Sequence, residues 1–240
     1  MTKSGAFKFL SAGRGLFSDF VWPLPDNGTP GRWIKAELPL ERCIRGIHVC
    51  REPDLPYWID DELWVIEVRG DIVEHETMML AEEGRLVRGV ESWDKEAALT
   101  FAQACAHRAQ GFAVDALRNA VRTDDASALA KATTFESIRD AAAMIMRKGA
   151  DNERGAVSFA ADAAALALGA RPEAADTPAE TGGSATPGAV AANLAYVTAH
   201  VAGAAAGPPG TSAYDRGVER ERDWQREWFR DLVNAVPTGG

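Results

Sequence analysis

The chain has 240 residues, a formal net charge of −9 and a hydrophobic fraction of 46%. That acidic balance, with no Lys/Arg cluster, argues against nucleic acid or an anionic membrane as partner, because both select basic patches. The length suffices for one large domain or two modest ones with a real core. Three cysteines are an odd number and no disulfide framework. With no apolar leader at the start, they point to reduced thiols and a cytoplasmic protein.

Taken in order, Ala6–Leu10 reads as a first strand. Ser11-Ala12-Gly13-Arg14-Gly15 is a flexible turn. It lacks the third glycine and the following helix that a phosphate loop needs. Trp22–Gly28 is an irregular loop ending in an Asn-Gly turn. Residues 33–37 form a second strand, and residues 43–50 and 63–70 carry the clearest β pattern. Between these two, Asp54–Ile59 reads as a one-turn helix capped by Asp54. Residues 71–76 and 85–90 complete the strands.

Beyond residue 92 the sequence turns alanine-rich and helical. Helices are expected at 92–109 (capped by Ser92), 112–121, 125–132, 134–147, 153–169, 188–206 and 212–235. Thr133 and Glu136 have capping-box spacing, and Thr186-Pro187 fits a cap and first helical position. The uncharged run at 188–207 is read as a buried helix rather than a membrane span, because alanine drives insertion poorly. Residues 171–187 form a mobile, low-complexity loop. The last helix sets Trp224, Trp228 and Leu232 on one face, a stripe that docks it onto the rest of the protein. Strands followed by helices make an α+β fold. A small, mostly antiparallel sheet at 1–92 precedes an alanine-rich helical bundle at 93–240, the two packing as one unit.

The candidate chemistry lies in the two best strands. Alternation puts His48 and Cys50 on one face of the first, and Glu67 and Arg69 on one face of the second. If the strands are neighbours, all four converge on one surface. Glu67 and His48 are then the candidate catalytic pair, a carboxylate and an imidazole whose pKa values burial would set. Trp33, Trp58, Trp64, Arg69 and Cys50 are candidate ligand contacts around an aromatic-walled pocket. The bland alternative for Glu67 is a structural bridge to Arg69, Arg85 or Arg88.

Cys43, His48 and Cys50 lack the spacing of a zinc ligand set, so no metal is assigned. A Cys50–His48 nucleophile pair lacks a helix N-terminus to lower the thiol pKa. No cofactor is assigned.

Gly46-Ile-His-Val-Cys50, Asp54-Leu-Pro-Tyr-Trp58, Asp61-Glu-Leu-Trp64 and Val65-Ile-Glu-Val-Arg-Gly70 resemble a family of uncharacterised actinobacterial proteins. Arg85-Leu86, Trp93 and Gln225-Arg-Glu-Trp228 fit the same resemblance. It spans most of the chain outside 171–187 and implies that the sheet part and the helical tail belong together; the family carries no established activity. The order Gly46–Cys50, Asp54–Ile59, Trp64–Val68 is also similar, more loosely, to ADP-ribosyltransferase-like domains. The catalytic acidic motif and NAD-binding first strand of such domains have no clear counterpart here. The resulting expectation is a pocket protein, an enzyme or not, that binds a small polar or nucleotide-like ligand on the His48/Glu67 face. The alternative is a non-catalytic module that binds a protein partner through its helical part and mobile loop.

Overall fold

The computed structural model describes residues 3–15, 20–148, 154–169 and 185–235; most of the 171–187 segment lies outside them. The fold is α+β, a curled antiparallel sheet followed by helices. The chain divides into two compact units, Met1–Ala97 with Arg226–Gly240, and Ala98–Gln225. The end of the last helix therefore belongs with the sheet, which the composition change at residue 92 does not show.

The sheet unit contains β1 (Lys3–Ser11), β2 (Arg14–Gly15), β3 (Ile34–Lys35), β4 (Ile47–Val49), β5 (Glu62–Glu74) and β6 (Met79–Gly89). The expected strand at 71–76 is the far end of β5. That strand passes Gly70 at φ +79° with a register shift between Arg69 and Ile72, a bulge that bends and twists it. Of the expected 43–50 strand, Ile47–Val49 is strand and Cys50 adds a single bridge beyond it. Cys43 sits at φ +65° in an exposed turn where Glu41 pairs with Arg45. The short helix over Glu52–Tyr57 is 3-10, and Asp54 lies inside it rather than before it. Its carboxylate accepts from the Arg51 backbone N–H and guanidinium.

Pairing runs β2-β1-β5-β6-β3, with β4 also on β6. One further pair closes the ring. Phe7 and Cys50 exchange backbone hydrogen bonds of 2.8 Å in both directions, so the end of β4 returns to β1. The ring encloses Ala6, Leu10, Ile47, Val49, Ile66, Val68, Met79, Ala81 and Leu86. Alternation assigns these to the inner face. On the outer face Phe9 packs edge-on against Trp93 and Phe229, and Trp228 meets Trp93 at 6.1 Å. Phe229, fully buried, falls outside the expected stripe but is the deeper anchor of this helical end. Ser92 caps nothing: its hydroxyl donates to the Leu232 carbonyl, and Asp94 accepts from the Ala97 N–H instead.

The helical unit holds most of α1 (Lys95–Asn119), then α2 (Thr123–Ala130), α3 (Phe135–Arg147), α4 (Arg154–Gly169), α5 (Pro187–Ala206) and the first part of α6 (Ser212–Asn234). The helices expected at 92–109 and 112–121 are one, because Gly111 is tolerated within α1. Thr134 with Ser137, not Thr133 with Glu136, makes the reciprocal cap of α3. Among the described residues α5 is the one helix long and apolar enough to cross a membrane, and half of its apolar window is buried inside the protein.

Small residues bring α5 and α6 close: a Cβ built on Gly217 would lie 2.4 Å from the Ala202 carbonyl oxygen. Trp224 stacks on Phe101 and lies 4.1 Å beneath the Arg108 guanidinium. Arg108 in turn grips the fully buried Glu221, and Gln225 bonds both Glu221 and the Ala195 carbonyl. Burial raises the Glu221 pKa, against the lowering pull of Arg108, and the polar atoms of the network satisfy one another, as buried charge requires. Replacing Gly217 with alanine forces backbone apart, so Gly217→Ala should lower unfolding free energy by about 1–3 kcal/mol in urea titrations despite alanine's better helix propensity.

Candidate functional site

Strand β1 pairs with β5 along one edge, and different segments share the other. Phe7 takes Cys50 there, while Leu10 and Ser11 take Gly15 and Arg14 of β2. Lys8 and Phe9 lie between these two pairings. An antiparallel ladder continued from Phe7–Cys50 would join Phe9 to His48. Instead, the Lys8 ammonium donates to the His48 carbonyl at 2.9 Å, so a side chain stands where a rung would be. The strands part at this point, and a cleft of about 700 Å³ opens beside them.

The cleft is walled by residues around this gap. Lys8, Phe9 and Trp22 line one part, Ile34 to Glu37 another, Cys43 to Cys50 a third, with Gly15, Phe20, Trp58 and Met78. Its volume falls within the ordinary range for small-ligand pockets, and its mix of aromatic walls with few charges suits one. Phe20 stands edge-on to Trp22 at 5.7 Å, and the Lys8 ammonium lies 5.0 Å from the Trp22 ring centre. Lys8, Lys35 and Arg45 supply positive charge against the single carboxylate of Glu37, an inversion of the protein's overall balance.

Lys8 is the unusual residue. It alternates with Ala6 and Leu10 on the inner, apolar face of β1 and keeps some exposed surface toward the cleft, while its ammonium is packed about with protein atoms. Among the described residues no carboxylate pairs with it. Burial therefore lowers its pKa to about 8, the expected direction for a desolvated ammonium. Lys35 and Arg45 differ, since they reach Glu82 at 3.1 Å and Glu41 at 2.8 Å. The Arg45 Nε is nevertheless buried without a hydrogen-bond partner.

Three of the expected site residues, His48, Cys50 and Trp58, line this cleft. Burial first, then the Lys8 charge, lowers the His48 pKa against a hydrogen bond with the Gly46 backbone. Burial pushes the Cys50 thiol up to about 12, so a thiolate nucleophile is not formed at neutral pH. The Trp58 indole donates to the Thr77 carbonyl at 2.6 Å.

The remaining expected residues stand elsewhere, because β6 lies between β4 and β5 and the sheet curls. Glu67 accepts from Arg85 at 2.7 Å and Arg69 donates to Glu83 at 2.6 Å. Both guanidiniums lie over the Trp33 ring, at 4.0 Å for Arg69 and 4.8 Å for Arg85. Trp64 packs against the core and donates to Glu62 at 3.0 Å. None of Trp33, Trp64, Glu67 and Arg69 lines the cleft. The expected convergence of His48 with Glu67 is corrected accordingly: Glu67 belongs to a cross-strand ionic ladder. Lys8 is not among the expected site residues, although its place between Ala6 and Leu10 in an apolar strand is a readable signal. Among the described residues, no group of three His, Cys, Asp or Glu side chains is placed to hold a metal ion.

The sign of the Lys8 effect on stability follows from linkage. Its folded pKa lies below its unfolded value, so below about pH 8 the charged amine is buried at full cost. As pH rises from about 8 to 10.5 the folded state releases this proton first, and that cost is removed. Lys8→Met should therefore unfold at higher urea at pH 7, gaining about 2 kcal/mol, and the difference from wild type should shrink by pH 10. An equal difference at both pH values would show that the gain has another origin.

Compared with protein-family models, curated proteins and solved structures, the chain matches none, and the family resemblance rests on the sequence motifs from Gly46–Cys50 to Gln225–Trp228 alone.

Proposed function

We propose that the sheet unit binds a small molecule with a flat, apolar or aromatic body and an anionic group, in the cleft beside Lys8. A carboxylate, a sulfonate or the phosphate of a nucleotide-like compound fits this description. The observation that carries the reading is an ammonium held in an apolar strand face, with no carboxylate opposite it among the described residues. A desolvated charge of this kind is costly to keep for stability alone, which makes functional retention the better account. The aromatic walls, Phe20 and Trp22 above all, favour a planar body by stacking and area burial. His48 contributes its carbonyl, which holds the Lys8 ammonium in place.

The test is calorimetric titration of the protein with indole-3-carboxylate and with AMP. Lys8→Met should weaken binding of the responding anion at least about tenfold, the scale of one charge-assisted hydrogen bond. Affinity should also fall as pH rises through about 8, where Lys8 loses its charge. Glu67→Gln, outside the cleft, should leave affinity within about twofold. Binding that is insensitive to Lys8→Met would remove the reading.

A further inference from the structure

The amine of Lys8 is more than a charge. Three features distinguish it from a surface lysine. It projects from the middle of a hydrogen-bonded strand, and its ammonium is anchored to the His48 carbonyl, so its position is defined. It borders a cavity large enough for a small molecule, with the Trp22 ring beside it. No carboxylate among the described residues stabilises its proton. These are the conditions under which a lysine becomes a nucleophile toward carbonyl carbon: desolvation, access and fixed geometry.

We propose that Lys8 captures a small aldehyde or ketone carrying an anionic group as a reversible imine. This rests on the reading of the cleft as a ligand site and names the ligand class. Arg45 also lines the cleft; its Nη2 is paired with Glu41 at 2.8 Å, but its buried Nε–H has no hydrogen-bond partner, and that donor is assigned to the ligand's anionic group while Lys8 meets the carbonyl. The neutral Lys8 amine adds to the carbonyl carbon, forming a C–N bond while the carbonyl oxygen takes a proton. The carbinolamine then loses water to leave a C=N double bond. The balance is amine plus carbonyl to imine plus water, with no change of oxidation state, and the proton shed by the ammonium goes to solvent in the open cleft.

At pH 7.5 an amine of pKa about 8 is neutral roughly two hundred times more often than an ordinary lysine, part of which its lower basicity offsets in nucleophilicity. Labelling of Lys8 over any other lysine by at least about tenfold is the expected net effect.

The experiment treats the full chain with 4-carboxybenzaldehyde and sodium cyanoborohydride, which reduces an imine to a stable secondary amine, and locates the label by peptide mass analysis. In parallel, binding of 4-methylbenzoate, which has the anion and ring but no carbonyl, is measured by calorimetry. Lys8 should carry most of the label at low aldehyde concentration, and excess 4-methylbenzoate should suppress it. Lys8→Arg, which keeps the cation, should lose that label and still bind 4-methylbenzoate; the competition arm uses wild type and does not depend on this variant folding. Label spread evenly over the lysines, with 4-methylbenzoate binding that needs Lys8, overturns the imine and leaves the anion site standing. Even label together with no binding of 4-methylbenzoate overturns both.

Discussion

The second edge of β1 has to serve three purposes within five residues. Phe7 closes the ring through Cys50, Leu10 and Ser11 carry the β2 hairpin, and Lys8 with Phe9 is left between them. A continuous ladder would have sealed this seam and filled the interior with side chains, as small barrels usually are. Because one rung is replaced by the Lys8–His48 contact, the ring is shut yet carries an opening in its wall. The cleft, its aromatic lining and the unusual state of Lys8 all depend on that exchange of a backbone bond for a side-chain bond.

Two sets of charged residues on the same unit show how context decides what a charge does. Glu67, Arg69, Glu83 and Arg85 pair across strands at 2.6–2.7 Å, on a half-exposed surface where Trp33 supports both guanidiniums. Such pairs are compensated and contribute modestly to stability. Lys8 has a carbonyl and a ring face but no counter-charge among the described residues, and its environment is apolar. The ladder is therefore read as support for the β5–β6 register, and Lys8 as the chemically available group.

The helical unit solves a different problem. Alanine and glycine allow close approach of its helices, as at Gly217 against Ala202, but small side chains bury little apolar area each. The fully buried Glu221 and Gln225, with the partly exposed Arg108, add directional bonds within that packing. All of them find partners, so they hold no unspent charge comparable to Lys8. The ring in the sheet unit, rather than the bundle, thus carries the candidate site.

Much of the architecture was legible in the residues. The strand pattern at 63–70, the alanine-rich helices, the Thr186-Pro187 helix start and the aromatic stripe of the last helix are local features, governed by alternation, propensity and capping that act over a few residues. The face of each side chain was legible too, including that of Lys8 between Ala6 and Leu10. What alternation could not supply was which faces meet. Glu67 and His48 would meet only if their strands adjoined, whereas β6 intervenes and the ring turns them apart. The gap at Lys8–Phe9 exists only because Cys50 and β2 reach the same edge from different parts of the chain. Such pairings are set by long-range packing and register, to which short-range sequence patterns are blind. The sequence by itself therefore determined the elements and the chemistry each carries; the tertiary structure alone decided that the open seam falls on Lys8, a lysine in an apolar strand face.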